Sequence, residues 1–172
     1  MIEAGWLDVV LLTLRVWAGV VMLAHGVNHA RSLEGTAGWF ARVGFRQPLL
    51  NALLSAGAEI AIGLALIAGL LTTVAAAGLA ATMAVAFWTI HRFVGFFVFR
   101  RPDEGYEYVA TLALLAFALA VVGPGRFSVD NAIGWAEHLD GVTGVIVYVA
   151  ALGAAAVQLA VFWRRPADGE GP

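Results

Sequence analysis

The chain has no cysteine. That excludes disulfides, thiolate metal sites, iron–sulfur clusters and any dithiol redox mechanism intrinsic to it. Lysine is missing too, so all ten basic residues are arginine. Charge of either sign is scarce, at 13% against 61% hydrophobic residues; soluble domains carry about 25% charged residues. With a mean hydropathy of +0.85, 172 residues of this composition cannot cover a water-facing surface, and an integral membrane protein is expected. The net charge of −2 offers no basic face for nucleic acid. MIEAGWLDVV has acids instead of a positive n-region, so no cleaved signal peptide is expected. GPGRFS lacks the preceding strand and following helix of a phosphate-binding loop.

Five apolar stretches are present, each near the roughly 20 residues that a spanning helix needs. They run over Leu7–Asn28, Pro48–Leu71, Thr73–Phe93, Tyr106–Val122 and Val142–Trp163. Little more than LLTT joins the second to the third, which predicts an antiparallel hairpin. With five crossings, Arg31, Arg42, Arg46, Arg92, Arg100, Arg101, Arg164 and Arg165 share one side, Arg126 lies on the other and Arg15 lies within the membrane. The positive-inside rule then predicts an outside N-terminus and a cytoplasmic C-terminus. HARSLEGTAGWFARVGFRQP predicts a short interfacial helix with Trp39, Phe40 and Phe45. Another interfacial stretch is expected around Trp135, and a polar tail over 164–172. Small residues in the second span, such as Gly57 and Gly63, suit close helix packing.

The segment LRVWAGVVMLAHGVNHA is apolar, yet it carries Arg15, His25, Asn28 and His29. A charge at bilayer depth is costly unless paired or solvated. Helical rise puts Arg15 and Glu59 within ~5 Å of the same depth, which predicts an Arg15–Glu59 structural ion pair. A protonated Glu59 hydrogen-bonded to a neighbour is an alternative. His25 and His29, four apart, share a helix face. His91, Tyr106, Glu107 and Tyr108 fall at similar depth, as do Trp39 and Trp88. Imidazoles that exchange protons beside aromatic walls are what a quinone headgroup requires. His25, His91 and Glu107 are the candidate catalytic residues, and His25, Trp39, Trp88, His91 and Tyr106 the candidate cofactor contacts. The bland reading stands beside this one: interfacial Tyr and Trp anchor many membrane proteins, and Glu107 could simply answer Arg92 or Arg100. A haem between His25 and His91, a His25/His29/Glu107 metal site and a narrow pore lined by Arg15, Glu59 and Gln158 are weaker readings. No metal is assigned.

LRVWAGVVMLAHGVNH, GTAGWFARVGF, AEIAIGLALIAGLLTT and GYEYVATLALLAFALAVVGPGRFSVD, in that order over residues 8 to 131, resemble the DoxX family. The resemblance implies a bacterial or archaeal cytoplasmic-membrane protein built on a four-helix bundle. Because the family is named for similarity to a membrane subunit of thiosulfate:quinone oxidoreductase, it also implies a quinone-linked role. By position it marks Arg15, His25, Glu59, His91, Tyr106 and Glu107. The expected fold is all-α: a four-helix DoxX-like core over 1–131, an interfacial segment and fifth transmembrane helix over 132–163, then the tail. The expected function is a small membrane subunit of a quinone-linked oxidoreductase complex, in contact with lipid and other subunits, the fifth helix being a possible assembly surface. An accessory subunit that stabilises a larger complex is the alternative; a haem-b electron carrier and a transporter rank lower.

Overall fold

The structure is a computed structural model and describes residues 4–99 and 104–166. Arg100, Arg101 and Pro102 of the predicted polar link, and the tail from Ala167, lie outside the described residues. The chain is all-helical: α1 (Ala4–Arg31), α2 (Leu33–Arg42), α3 (Pro48–Ala68), α4 (Thr72–Thr89), a 3₁₀ turn (His91–Phe93), α5 (Glu107–Val122), α6 (Val129–Ala132) and α7 (Gly141–Phe162).

Four helices, α1, α3, α4 and α7, are long and apolar enough to cross a membrane. At 16 residues, α5 rises only about 24 Å, short of the roughly 30 Å hydrocarbon core. It nevertheless runs the depth of the bundle. Tyr108, in its first turn, borders a cavity with His25 near the C-terminal end of α1. Gly125, just past its last turn, meets Asp8 and Leu11 near the N-terminal end. Below, the α1 N-terminus marks the first end of the bundle, and His25 and His91 mark the histidine end.

Pro48 opens α3 and Gly69 closes it in the left-handed conformation, returning N–H bonds to the last turn, as helix ends of this kind require. α4 follows at once, which forms the expected hairpin. The α1–α3 contact is the most extensive in the bundle. A Cβ on Gly26 would stand 2.7 Å from the Ile60 nitrogen, and one on Gly63 would stand 2.6 Å from the Leu23 nitrogen. The two backbones therefore touch through glycine, which fixes their antiparallel register. Met22, Leu66, Leu79, Leu112 and Leu119 fill the core.

The GPGRFSVD loop ties the first end together. Arg126 donates its backbone N–H (2.8 Å) and its Nε (2.7 Å) to the Asp8 carboxylate. Ser128 accepts from the Asn131 N–H, capping the single turn α6. Asp130 accepts from the N–H groups of Leu71 and Thr72, at 2.7 and 2.8 Å. It thus caps α4, whose own N-cap residue, Leu71, has no side chain able to do so.

At the histidine end α2 forms as expected, and its Phe40 is buried with Val43, Phe45, Ala52 and Trp163. α7 packs on α4 and α5. Its C-terminal end is latched to the α2–α3 loop: Arg46 N–H donates to the Phe162 carbonyl (2.6 Å), Arg164 N–H to that of Gly44 (2.9 Å), and the Trp163 indole N–H to that of Val43 (2.7 Å).

Candidate functional site

Arg15 and Glu59 do not pair. The α1–α3 register places Glu59 beside Gly26, whereas Arg15 lies against Gly69 at the far end of α3. Ten residues of α3 (Glu59 to Gly69), about 15 Å, separate the two levels. Arg15 is fully buried; its Nη2 donates to the Phe127 carbonyl at 2.5 Å, and Asp130 is the carboxylate whose charge acts on it. Its role is in the closure of the first end.

Glu59 is itself only 4% exposed, about halfway along α3. Ser55, one turn earlier, donates its hydroxyl to Oε1 at 2.6 Å. Oε2 lies 3.2 Å from His29 Nδ1. That is ion-pair distance without hydrogen-bond alignment, and neither atom has another partner. His25, one turn back on α1, presents its ring edge-on to His29, with centroids 6.4 Å apart. Two side-chain doublets at four-residue spacing, His25/His29 and Ser55/Glu59, thus face each other across the α1–α3 seam.

Two cavities adjoin this contact. One, of about 600 Å³, is bordered by His25, His91, Trp39, Tyr108, Met22 and Leu112. The other, of about 410 Å³, lies toward α7 and is bordered by Asn51, Ser55, Gln158, Phe45 and Ala155. His29, Glu59, Trp39 and Thr82 line both. A buried carboxylate–imidazole contact therefore stands between two mainly apolar chambers. Gln158 Nε2 reaches Asn51 Oδ1 at 3.4 Å across the smaller one.

His91 Nδ1 lies 2.6 Å from the Glu104 carbonyl. A carbonyl only accepts, so Nδ1 carries the proton, and in the neutral ring Nε2 is the acceptor. The other predicted contacts go elsewhere. Glu107 accepts the Val98 N–H at 3.3 Å instead of orienting a histidine. Tyr106 stacks edge-on against Phe87 and Phe96. Trp88 faces a separate trough between α4 and α7. Among the described residues no three His, Asp or Glu side chains form a metal-ligating group, so His25, His29 and Glu107 make no such site. Of the predicted set, His25, Trp39 and His91 share one cavity. Sequence reasoning missed the His29–Glu59 contact and the parts of Ser55 and Asn51; the matching four-residue doublets were the available signal. Of the three residues named for a narrow pore, Glu59 and Gln158 share the smaller cavity and Arg15 does not.

Residues 10–92 match the model of the DoxX family. Over that stretch the chain belongs to the DoxX family. The match runs from α1 through the 3₁₀ turn, shorter than the 8–131 read from the motifs. It includes Arg15, His25, His29, Trp39, Glu59 and His91. Tyr108 and Gln158, which complete the two cavities, lie in α5 and α7, beyond the matched DoxX segment. Comparison with curated proteins and with solved structures found no match. The chain is a multi-pass membrane protein, its long apolar helices in contact with lipid.

Proposed function

We propose that this DoxX protein is a small membrane subunit of a quinone-linked oxidoreductase, with the quinone headgroup held in the larger cavity. The observation that carries this reading is the buried His29–Glu59 contact on the wall of a chamber also bordered by His25 and His91. The residues fit the group. Trp39 and Tyr108 offer flat walls, Met22 and Leu112 apolar surface, and His29 Nδ1 and Glu59 Oε2 are buried polar atoms with no hydrogen-bond partner of their own. A quinone supplies a two-electron, two-proton acceptor; the electrons would come from a redox partner subunit, since this chain has no cysteine to build a redox centre.

His25 is the exposed member of the α1 doublet and suits proton exchange with a headgroup oxygen. His91, held as the Nδ1–H tautomer by Glu104, accepts from a hydroxyl when neutral and donates through Nε2 only after taking a second proton. His29 and Glu59 hold a proton between the two chambers. Arginine placement supports a cytoplasmic histidine end, with Arg31, Arg42, Arg46, Arg92, Arg164 and Arg165 there against Arg126 at the first end.

The test is quinone carried through gentle purification, quantified by extraction from the wild type and from His25→Ala and Trp39→Ala. Near-stoichiometric quinone in the wild type, reduced about fivefold or more by either change, is expected from the loss of one hydrogen bond or one stacking wall. Quinone no higher than its share of co-purified lipid, unaltered by both substitutions, would refute the reading. The accessory-subunit reading is favoured by a different observation: the deep charges of Arg15 and Asp130, like the Asp8–Arg126 pair, serve to close the bundle. It predicts that result and, in addition, loss of a partner complex when α7 is removed.

A further inference from the structure

α4 and α7 leave a trough of about 550 Å³ between them at the histidine end. It exists because the facing side chains are small: Ala84 on α4, and Ala155, Ala156 and Ala160 on α7. Along α7 it extends from Leu152 to Trp163, roughly 16 Å of helical rise. The trough opens to the outside of the bundle, where the surrounding medium is the bilayer. It is separate from the quinone reading and does not depend on it.

The mouth of the trough has a chemistry of its own. Trp88 and Trp163 border it, and the Trp163 ring is held by its indole bond to the Val43 carbonyl. The Arg92 guanidinium lies 3.9 Å over the Trp88 ring and 4.4 Å from the Phe93 ring, and its Nε is buried without a hydrogen-bond partner. Arg164, which borders the mouth, uses Nη1 on the Ala160 and Trp163 carbonyls at the end of α7. The two ion pairs among the described residues are His29–Glu59 and Asp8–Arg126, so no carboxylate there neutralises Arg92 or Arg164. Arg165 borders the mouth as well and lies 4.8 Å from the Phe93 ring, so three guanidinium groups stand at or beside the head of an apolar slot of acyl-chain shape, at an aromatic-rich level.

We propose that this trough is a binding site for an anionic phospholipid, with one acyl chain along the alanine face and the phosphate against Arg92 and Arg164. Guanidinium is planar and matches phosphate oxygens in pairs, and basic pockets between transmembrane helices suit anionic headgroups. A zwitterionic lipid brings its own cation to the same arginines and is held less well. The Trp88 ring, already stacked with Arg92, holds that guanidinium in place and sets the height of the headgroup.

The full chain is reconstituted in vesicles of phosphatidylglycerol and phosphatidylcholine in equal parts, and native mass spectrometry counts the lipids each particle retains. The wild type should keep phosphatidylglycerol over phosphatidylcholine by about tenfold or more, and the Arg92→Gln/Arg164→Gln double variant, which keeps Arg165 at the mouth, should lower the ratio by about threefold or more. Arg42→Gln, an exposed arginine at the same end, should leave it unchanged. Ala156→Leu fills the trough without touching a charge and should lower retention of the anionic lipid as well. Equal retention of both lipids by the wild type, an equal loss in Arg42→Gln, or full retention in Ala156→Leu would each overturn the proposal. Melting of the variants in detergent separates lost binding from lost folding: a double variant that melts with the wild type yet keeps its lipid preference also overturns it.

Discussion

Replacing Asp130 with asparagine keeps the shape of the side chain and removes its charge, at a site where that charge serves two groups at once. The carboxylate is 4% exposed and accepts the N–H bonds of Leu71 and Thr72 at the start of α4. It also faces the field of Arg15, fully buried and hydrogen-bonded only through Nη2 to Phe127. Bonds to a charged acceptor contribute about 1.5–3 kcal/mol and neutral ones about 0.5–1.5, so one cap loses about 1 kcal/mol. Leu71 and Thr72 donate to different oxygens and asparagine has only one, so the other N–H is left facing an NH2 group at a cost of about 1 kcal/mol or more. The two caps together lose about 2 kcal/mol or more. Removing the direct partner of a buried charge costs about 3–5 kcal/mol. Asp130 is not in ion-pair contact with Arg15, so about 1 kcal/mol is the appropriate share, and Asp130→Asn should destabilise the protein by about 3 kcal/mol. Reversible unfolding in mixed micelles measures this, and an Arg15→Met background separates the parts. There, the Asp130→Asn cost should fall to about 2 kcal/mol, leaving about 1 kcal/mol of coupling. A cost below about 0.5 kcal/mol in the wild-type background, or the same cost in both, would refute the reasoning.

Two further substitutions probe the seams of the bundle. Gly63→Val places a branched side chain where a Cβ alone would stand 2.6 Å from the Leu23 nitrogen, and should cost about 3 kcal/mol or more by prying α1 from α3; micelle unfolding at wild-type stability would exclude that register. Trp163→Phe removes the indole bond to Val43 and should cost about 1 kcal/mol. Faster amide exchange should then appear at Arg46 and Arg164, whose N–H groups form the rest of the latch.

The helices were legible because apolar run length decides them, and the LLTT hairpin because no longer loop was available. Depth was not. Counting residues inward from assumed helix ends placed Arg15 level with Glu59, but α1 has 28 residues and α3 has 21. The offset between helices of unequal length is set by where backbones can touch. Gly26 against Ile60 and Gly63 against Leu23 set it here, and a list of small residues does not say which glycine meets which neighbour. His25, Trp39 and His91 border one cavity, as their residue types and similar depth predict. Glu107 and Tyr106 fell at the right depth but were claimed by the link before α5: Glu107 by the Val98 N–H, Tyr106 by Phe96. GPGRFSVD stood out as a motif, yet its use as a clasp for Asp8, Arg15 and the start of α4 depends on three partners distant in the chain.

The latch between Trp163 and the α2–α3 loop bears on the order in which the protein can be made. Asn51 and Gln158, which meet across the smaller cavity, are 107 residues apart in the chain. α1 to α4 can enter the membrane and pair while α7 is still being translated, but until α7 arrives the chamber beside Glu59 lacks the wall that Ala155 and Gln158 supply. The carboxylate is then open to lipid on that side. The ribosome therefore delivers the polar seam before its cover, and a nascent chain arrested between α5 and α7 exposes a glutamate that the finished protein conceals.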